Sequence, residues 1–169
     1  MRQRDKEMKL RKQQNGGIME IVCLDLEGVL VPEIWIAFAE ETGIPELKRT
    51  TRDEPDYDKL MKYRIGILKE HGLGLKEIQE TIEKIDPLPR AKEFLDQLRS
   101  LTQVIIVSDT FSQFAGPLMK KLGYPTIFCN SLVVAPDGEI TDFKMRCEKS
   151  KYTTVKALQS IGYDTIASG

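Results

Sequence analysis

Histidine and cysteine are scarce in this chain of 169 residues. The sequence has one histidine, His71, and three cysteines, Cys23, Cys129 and Cys147, whose spacing does not match that of a metal site. A single histidine argues against a Ser-His-Asp or Cys-His mechanism and against a histidine-rich metal centre. Because Cys23 and Cys129 lie in apolar, strand-like runs, we expect them to behave as small hydrophobic residues in a reducing cytoplasm.

A surplus of positive charge and a long apolar run are also missing. The 25 basic and 26 acidic residues give a net charge of -1, which offers no footprint for nucleic acid. No apolar run approaches the length of a membrane span, so we expect a soluble protein without a membrane partner. Residues 1–18 are polar and basic and lack the apolar core of a secretory signal, which predicts a disordered arm outside the fold.

The strongest feature present is an apolar run that ends in two carboxylates. Ile21–Leu24 have no polar alternation, which predicts a parallel strand buried on both faces, and Asp25 and Glu27 follow at its carboxyl end. Ligands of open α/β sheets bind beyond the carboxyl ends of the strands. Residues two apart in an extended segment point the same way, so we expect the two acids to share a site and to perform different tasks.

Helical and strand patterns along the rest of the chain predict a doubly wound parallel Rossmann-like sheet with a small helical cap inserted after the first strand. The cap is expected at 33–86 and the core at 19–32 and 87–169. Pro136-Asp137-Gly138 predicts a hairpin turn. Apolar spacing predicts that the core helices turn the following residues inward: Ala91, Phe94, Leu95, Leu98 and Leu101 in one, and Val155, Leu158 and Ile161 in another.

One charged residue falls on an apolar helix face. A helix with Asp56 as its N-cap is predicted to run to about Glu70, and Arg64 lies on its inward stripe, between Met61 and Leu68. Such an arginine is either a snorkelling or ion-paired side chain or a ligand for an anion, and the pattern leaves both open.

Two further element ends are expected to bring polar groups to the same edge. Ser108 follows the strand Val104–Val107, and Lys151 stands where a loop enters a helix. Together with Asp25 they provide a nucleophilic carboxylate, a hydroxyl for a phosphoryl oxygen and a neutralising cation. Each also has a structural interpretation: Asp25 as a turn residue, Ser108-Asp109-Thr110 as a helix cap, and Lys151 as a solvated charge.

The combination resembles motifs one to three of the haloacid dehalogenase-like phosphohydrolases. The matching stretches are Asp25-Leu26-Glu27-Gly28-Val29-Leu30, Val107-Ser108-Asp109-Thr110 and Lys151. Glu27 in place of the usual aspartate, together with the stretches 31–39 and 51–58, resembles the bifunctional phosphoserine phosphatase/homoserine phosphotransferase branch. The resemblance covers Met19 to Gly169.

The resemblance implies a role for each residue. Asp25 would be the nucleophile that forms an aspartyl-phosphate, and Glu27 the general acid and base. Ser108, Asp109, Thr110 and Lys151 would bind the phosphoryl group. Glu33 and Arg64 would recognise the amino and carboxylate groups of phosphoserine. Mg²⁺ would be held by Asp25 and the backbone carbonyl of Glu27. The resemblance further implies transfer to homoserine, and a homodimer.

The sequence departs from this branch at its end, and two other classes of function stay open. In this branch the fourth motif begins with a glycine, which Gly169 matches, and continues with an aspartate that would come next. We therefore expect a truncated core that lacks a metal ligand and is impaired or inactive. One alternative is a receiver-like phospho-accepting module, against which the helical insertion argues. The other is a non-catalytic protein that binds an amino-acid phosphate through Glu33, Arg64, Ser108 and Lys151.

Overall fold

The computed structural model describes residues 19–169. The strands are β1 (Met19–Leu24), β2 (Gln103–Phe111), β3 (Thr126–Val134), β4 (Ile140–Lys144) and β5 (Tyr163–Ser168). The helices are α1 (Ile34–Thr42), α2 (Tyr57–Glu70), α3 (Leu75–Lys84), α4 (Ala91–Leu101), α5 (Ser112–Lys121) and α6 (Ser150–Ser160), with a 3₁₀ turn at Pro45–Lys48. The predicted arm at 1–18 lies outside the described residues. None of the helices in 19–169 is long and apolar enough to cross a membrane.

The five strands form one sheet in the order β4-β3-β2-β1-β5. All neighbours pair in parallel except β3 and β4, which form the predicted antiparallel hairpin. Alternate residues of β1 enter two different apolar clusters. Ile21 and Cys23 pack under α6, whereas Val22 and Leu24 join the larger cluster on the opposite face. The sheet is therefore covered on both sides, and the predicted doubly wound α/β architecture is confirmed.

The ends of the inserted helices follow from local signals. α1 stops at Gly43, whose φ of 69° is a left-handed conformation that suits glycine. Asp56 caps α2 by accepting a hydrogen bond from the Lys59 N–H at 3.2 Å, and α2 ends at Glu70, both as predicted, with His71 as the C-cap residue. The single histidine is thus the C-cap residue of a helix.

Three residues that were expected to face inward are exposed. Phe94 is 49% exposed, Leu101 83% and Ile161 70%. Leu101 is the last residue of α4 and Ile161 directly follows α6, so both lie where the helix no longer covers the sheet. Phe94 stands beside Leu95, about 100° around the helix, and only Leu95 is fully buried. Helical spacing therefore predicted the position of the buried faces, but the predicted faces were wider and longer than the buried ones.

The turn before α3 rests directly on the β3–β4 hairpin. The Leu75 N–H donates to the Gly138 carbonyl at 3.0 Å, and Lys69 pairs with Glu139 at 3.1 Å. A Cβ atom at Gly74 would lie 2.6 Å from that carbonyl oxygen, which is closer than any real contact allows. Glycine is needed here because of the close backbone approach, since the φ of Gly74, -119°, is open to any residue.

Replacing Gly74 with alanine should lower the free energy of unfolding by about 1–3 kcal/mol, because the new methyl group forces the turn away from the hairpin. Gly66 is the matched control. It lies in the middle of α2 with no atom near its ideal Cβ position, so Gly66→Ala should stabilise the protein by about 0.5–1 kcal/mol. Urea denaturation of both variants checks the pair, and equal effects would contradict the contact described here.

Candidate active site

Asp25 stands at the carboxyl end of β1 and is held from two sides. Its Oδ1 accepts the Leu26 N–H at 2.8 Å, and its Oδ2 lies 2.5 Å from the Lys151 Nζ of α6. The Asp25 side chain is 21% exposed and that of Lys151 48%, so the pair opens on solvent at one edge of the sheet. The predicted meeting of Asp25 and Lys151 therefore occurs in the folded chain.

Lys151 also faces a second carboxylate. Its Nζ lies 4.0 Å from Oδ2 of Asp109, and the Ser150 hydroxyl donates to Oδ1 of Asp109 at 2.8 Å. One ammonium group is thus shared by two acids on adjacent strands. The positive charge of Lys151 offsets the repulsion between the two carboxylates.

Ser108, Asp109 and Thr110 lie where β2 leaves its regular pairing with β3. The register advances from Val107 opposite Phe128 to Phe111 opposite Asn130, four residues on β2 against two on β3. In this irregular stretch the Thr110 N–H donates to the Ser108 Oγ at 3.2 Å. All three side chains face the same cavity. A bulge of this kind redirects side chains at the end of a strand.

Glu27 occupies a more shielded position than Asp25. Its Oε2 accepts the Ile34 N–H at 3.0 Å, at the start of α1. Burial raises the pKa of the Glu27 carboxyl above its usual range, while the Ile34 hydrogen bond and the charge of Arg64 act in the opposite direction. The raised pKa keeps Glu27 protonated at higher pH, which suits an acid that must give up a proton.

Arg64 is buried, with 6% of its surface exposed, as its place on the inward face predicted. Its guanidinium stacks over the Trp35 ring at 4.6 Å, and Nη2 donates to the Arg49 carbonyl at 2.8 Å. Burial lowers the pKa of Arg64 to about 10, which leaves it cationic at neutral pH. Its Nη1 contacts the Met61 sulfur at 3.8 Å. Within 19–169 its Nε has no hydrogen-bond partner, and no acid lies within ion-pair distance of the guanidinium. These contacts favour the anion-binding interpretation over an internal ion pair.

These groups line one cavity of about 240 Å³. It contains all eight residues that the sequence singled out: Asp25, Glu27, Glu33, Arg64, Ser108, Asp109, Thr110 and Lys151. It also contains residues that sequence reasoning had not assigned to a site: Trp35, Thr50, Thr51, Arg52, Tyr57, Leu60 and Phe111. Apolar spacing alone would assign the aromatic residues to helix packing. The sequence signal for the loop is the stretch 51–58, which carries part of the family resemblance but no assigned site residue.

The cavity offers oxygen ligands for a hard cation. Asp25 provides a carboxylate, and the Glu27 carbonyl accepts no hydrogen bond from the described residues. Within 19–169 no group of three or more histidine, cysteine or acidic residues is arranged to hold a metal. Magnesium is commonly bound through one or two carboxylates and completes its shell with water or substrate oxygens, so this sparse donor set fits it.

Comparison with known proteins places this geometry in context. No family model matches the chain. Phosphoserine phosphatase ThrH of Pseudomonas aeruginosa is 55% identical over 151 residues, which cover 89% of this chain and 74% of that protein. A phosphoserine phosphatase of Pseudomonas syringae pv. tomato is 53% identical, and the match spans 89% of this chain and 64% of that relative's length.

Solved structures agree on the fold. An apo phosphoserine phosphatase superposes with a TM-score of 0.71 at 25% identity, covering 89% of this chain and 77% of the other. A phospho-aspartyl intermediate analogue of phosphoserine phosphatase gives 0.72 at 24% identity, with the same coverage. The resemblance seen in the sequence is thus confirmed: the chain belongs to the haloacid dehalogenase-like phosphohydrolases, in the branch of phosphoserine phosphatase ThrH.

Proposed function

We propose that this chain is a magnesium-dependent phosphoserine phosphatase that works through an aspartyl-phosphate on Asp25. The observation that carries the proposal is the placement of Asp25, 2.5 Å from Lys151, in one cavity with Ser108 and the buried Arg64. The cavity therefore holds a nucleophile, Asp25, a cation for the phosphoryl group, Lys151, and a second cation for a carboxylate, Arg64. Phosphoserine carries both a phosphate and a carboxylate.

In the first step a carboxylate oxygen of Asp25 attacks phosphorus and the bond from phosphorus to the serine oxygen breaks. Glu27 gives its proton to that oxygen, and serine leaves as the neutral alcohol. Ser108 and Lys151 hold the phosphoryl oxygens, while the backbone of Asp109 and Thr110 completes the cradle. The Asp109 carboxylate itself repels phosphate, so we assign it the task of holding Lys151.

In the second step Glu27, now ionised, takes a proton from water as the water oxygen attacks phosphorus. The bond to Asp25 breaks, inorganic phosphate leaves and the carboxylate is restored. An alcohol in place of water would receive the phosphoryl group instead. Homoserine is the acceptor that the resemblance implies, and the residues of this site are the same for both reactions.

Asp25 and the Glu27 carbonyl would hold Mg²⁺. When bound, the cation offsets the negative charge that gathers when a phosphate dianion approaches an aspartate. We further propose that residues 33–86 act as the cap over this site. In that cap Arg64 binds the substrate carboxylate and Glu33, which is exposed at the cavity, binds the ammonium group. A cytoplasmic location and a homodimer complete the proposal.

Asp25→Asn should reduce phosphate release from phosphoserine by about 10³-fold or more in the presence of magnesium, because an amide cannot form the intermediate. Asp164→Asn is a matched control on an exposed residue of β5 and should leave the rate unchanged. EDTA should abolish the activity of the parent chain. Magnesium-independent binding without turnover would support a non-catalytic binder, and a long-lived phosphoaspartate would support a receiver-like module; either result would overturn the proposal.

The raised pKa of Glu27 predicts a cost in stability. In the folded state the carboxyl holds its proton more tightly than in the unfolded chain, so stability should fall as pH rises from the unfolded pKa of about 4.5 through the folded one. Glu27→Gln removes this titration. In EDTA the variant should lose stability less steeply than the parent over that pH range, while phosphate release with magnesium is lost. If urea denaturation gives the same dependence of stability on pH for the variant and the parent, folding does not raise the pKa of Glu27.

A further inference from the structure

The backbone of the phosphate-binding segment is held by side chains rather than by the sheet. Because the ladder between β2 and β3 is interrupted from Val107 to Phe111, the Asp109 carbonyl needs another partner. It has two: the Asn130 Nδ2 donates to it at 3.1 Å and the Tyr57 hydroxyl at 2.9 Å. These two donors therefore orient the Asp109 peptide group, in addition to the bonds from the Thr110 N–H to Ser108 and from the Ser150 hydroxyl to the Asp109 carboxylate.

The two donors come from different parts of the fold. Asn130 belongs to β3 and is itself fixed, because its Oδ1 accepts the Arg146 N–H at 2.9 Å. Tyr57 is the first residue of α2, fifty-two positions away in the chain from Asp109. Within 19–169 its hydroxyl makes the only hydrogen bond from the inserted helices to the segment 108–110.

Packing fixes the Tyr57 ring independently of its hydroxyl. The ring meets Phe143 of β4 edge to face, with centroids 5.9 Å apart, and Phe143 in turn meets Phe111 at 6.4 Å. Burial and the nearby charge of Asp109 raise the pKa of the Tyr57 hydroxyl, so it remains a donor at physiological pH. The hydroxyl therefore stays aimed at the Asp109 carbonyl.

Tyr57 also shares its helix with Arg64. They lie seven positions apart, which is about two turns, so both face the cavity and stand about 10 Å apart along the axis. One rigid element thus carries the guanidinium that we assign to the substrate carboxylate and the hydroxyl that contacts the phosphate segment.

We propose that Tyr57 is a positioning residue: its hydroxyl orients the phosphate-binding segment 108–110 through the Asp109 carbonyl and ties that segment to the helix that bears Arg64. The inference rests on the proposed function, because it takes Ser108 to bind the phosphoryl group. Tyr57 acts on phosphate through the backbone of its neighbours and exchanges no proton with the substrate.

The test is Tyr57→Phe, which removes one oxygen and keeps the ring. Trp35 is the only tryptophan of the chain and lines the cavity, so its fluorescence can report binding without turnover. In buffer with magnesium, the variant should bind inorganic phosphate about three- to tenfold more weakly than the parent, as the loss of one buried hydrogen bond implies. L-serine, which has no phosphoryl group for the segment to bind, should bind equally well to both.

Two matched variants define the outcome. Tyr63→Phe, on the same helix, removes a hydroxyl that has no hydrogen-bond partner within 19–169 and should leave phosphate binding unchanged. In a Ser108→Ala background the effect of Tyr57→Phe should shrink, because the segment that it orients has lost its side-chain ligand.

The possible failures can be told apart. If the parent chain binds no phosphate, the proposed function fails. If the parent binds phosphate and Tyr57→Phe lowers only the melting temperature, Tyr57 is a structural residue and the inference is wrong. If the variant loses affinity for L-serine but not for phosphate, Tyr57 contacts the amino acid directly, and the inference is again wrong.

Discussion

The ion pair between Asp25 and Lys151 is the interaction on which the candidate site depends. The cavity collects four acids: Asp25, Glu27 and Glu33 follow one another after β1, and Asp109 comes from β2. Asp25 and Asp109 lie on neighbouring strands, where two like charges would push the strand ends apart. Lys151 lies 2.5 Å from one and 4.0 Å from the other, so a single ammonium group makes their proximity tolerable. Its own position follows from α6 starting at Ser150, whose hydroxyl binds Asp109.

Much of this geometry could be predicted because parallel strands bring their carboxyl ends to one edge. The apolar run before Asp25 and the run before Ser108 each indicated a buried strand, and β1 and β2 are indeed paired in parallel. The inward direction of Arg64 followed from helical spacing alone. Tyr57 and Asn130 could not be found in this way. Helical spacing puts Tyr57 on the same inward face as Arg64 but says nothing about its hydroxyl. The partner of that hydroxyl depends on a break in pairing between β2 and β3, which no periodic pattern reveals.

Burial shifts the pKa of two charged groups in this cavity, Glu27 and Arg64, and desolvation is the cause of both shifts. Desolvation raises the pKa of Glu27 and lowers that of Arg64, so each group is held closer to its neutral form than in water. For Glu27 the shift is useful, since an acid must be protonated to protonate a leaving group. For Arg64 it makes binding of an anion more favourable, because an unpaired buried cation gains most from a partner. The stacked Trp35 ring and the Arg49 carbonyl only partly replace the lost water.

A count of charges then explains why the site suits a divalent cation. Three cations, Arg52, Arg64 and Lys151, face the four acids, which leaves a net charge of about -1 when Glu27 is ionised and about zero when it is protonated. Phosphoserine brings roughly two further negative charges at neutral pH, because its phosphate is mostly dianionic and its carboxylate and ammonium groups cancel. The side chains alone cannot balance such a ligand. The oxygens of Asp25 and Glu27 stand where added positive charge would act on both the nucleophile and the phosphate, and this is the place that we propose for Mg²⁺.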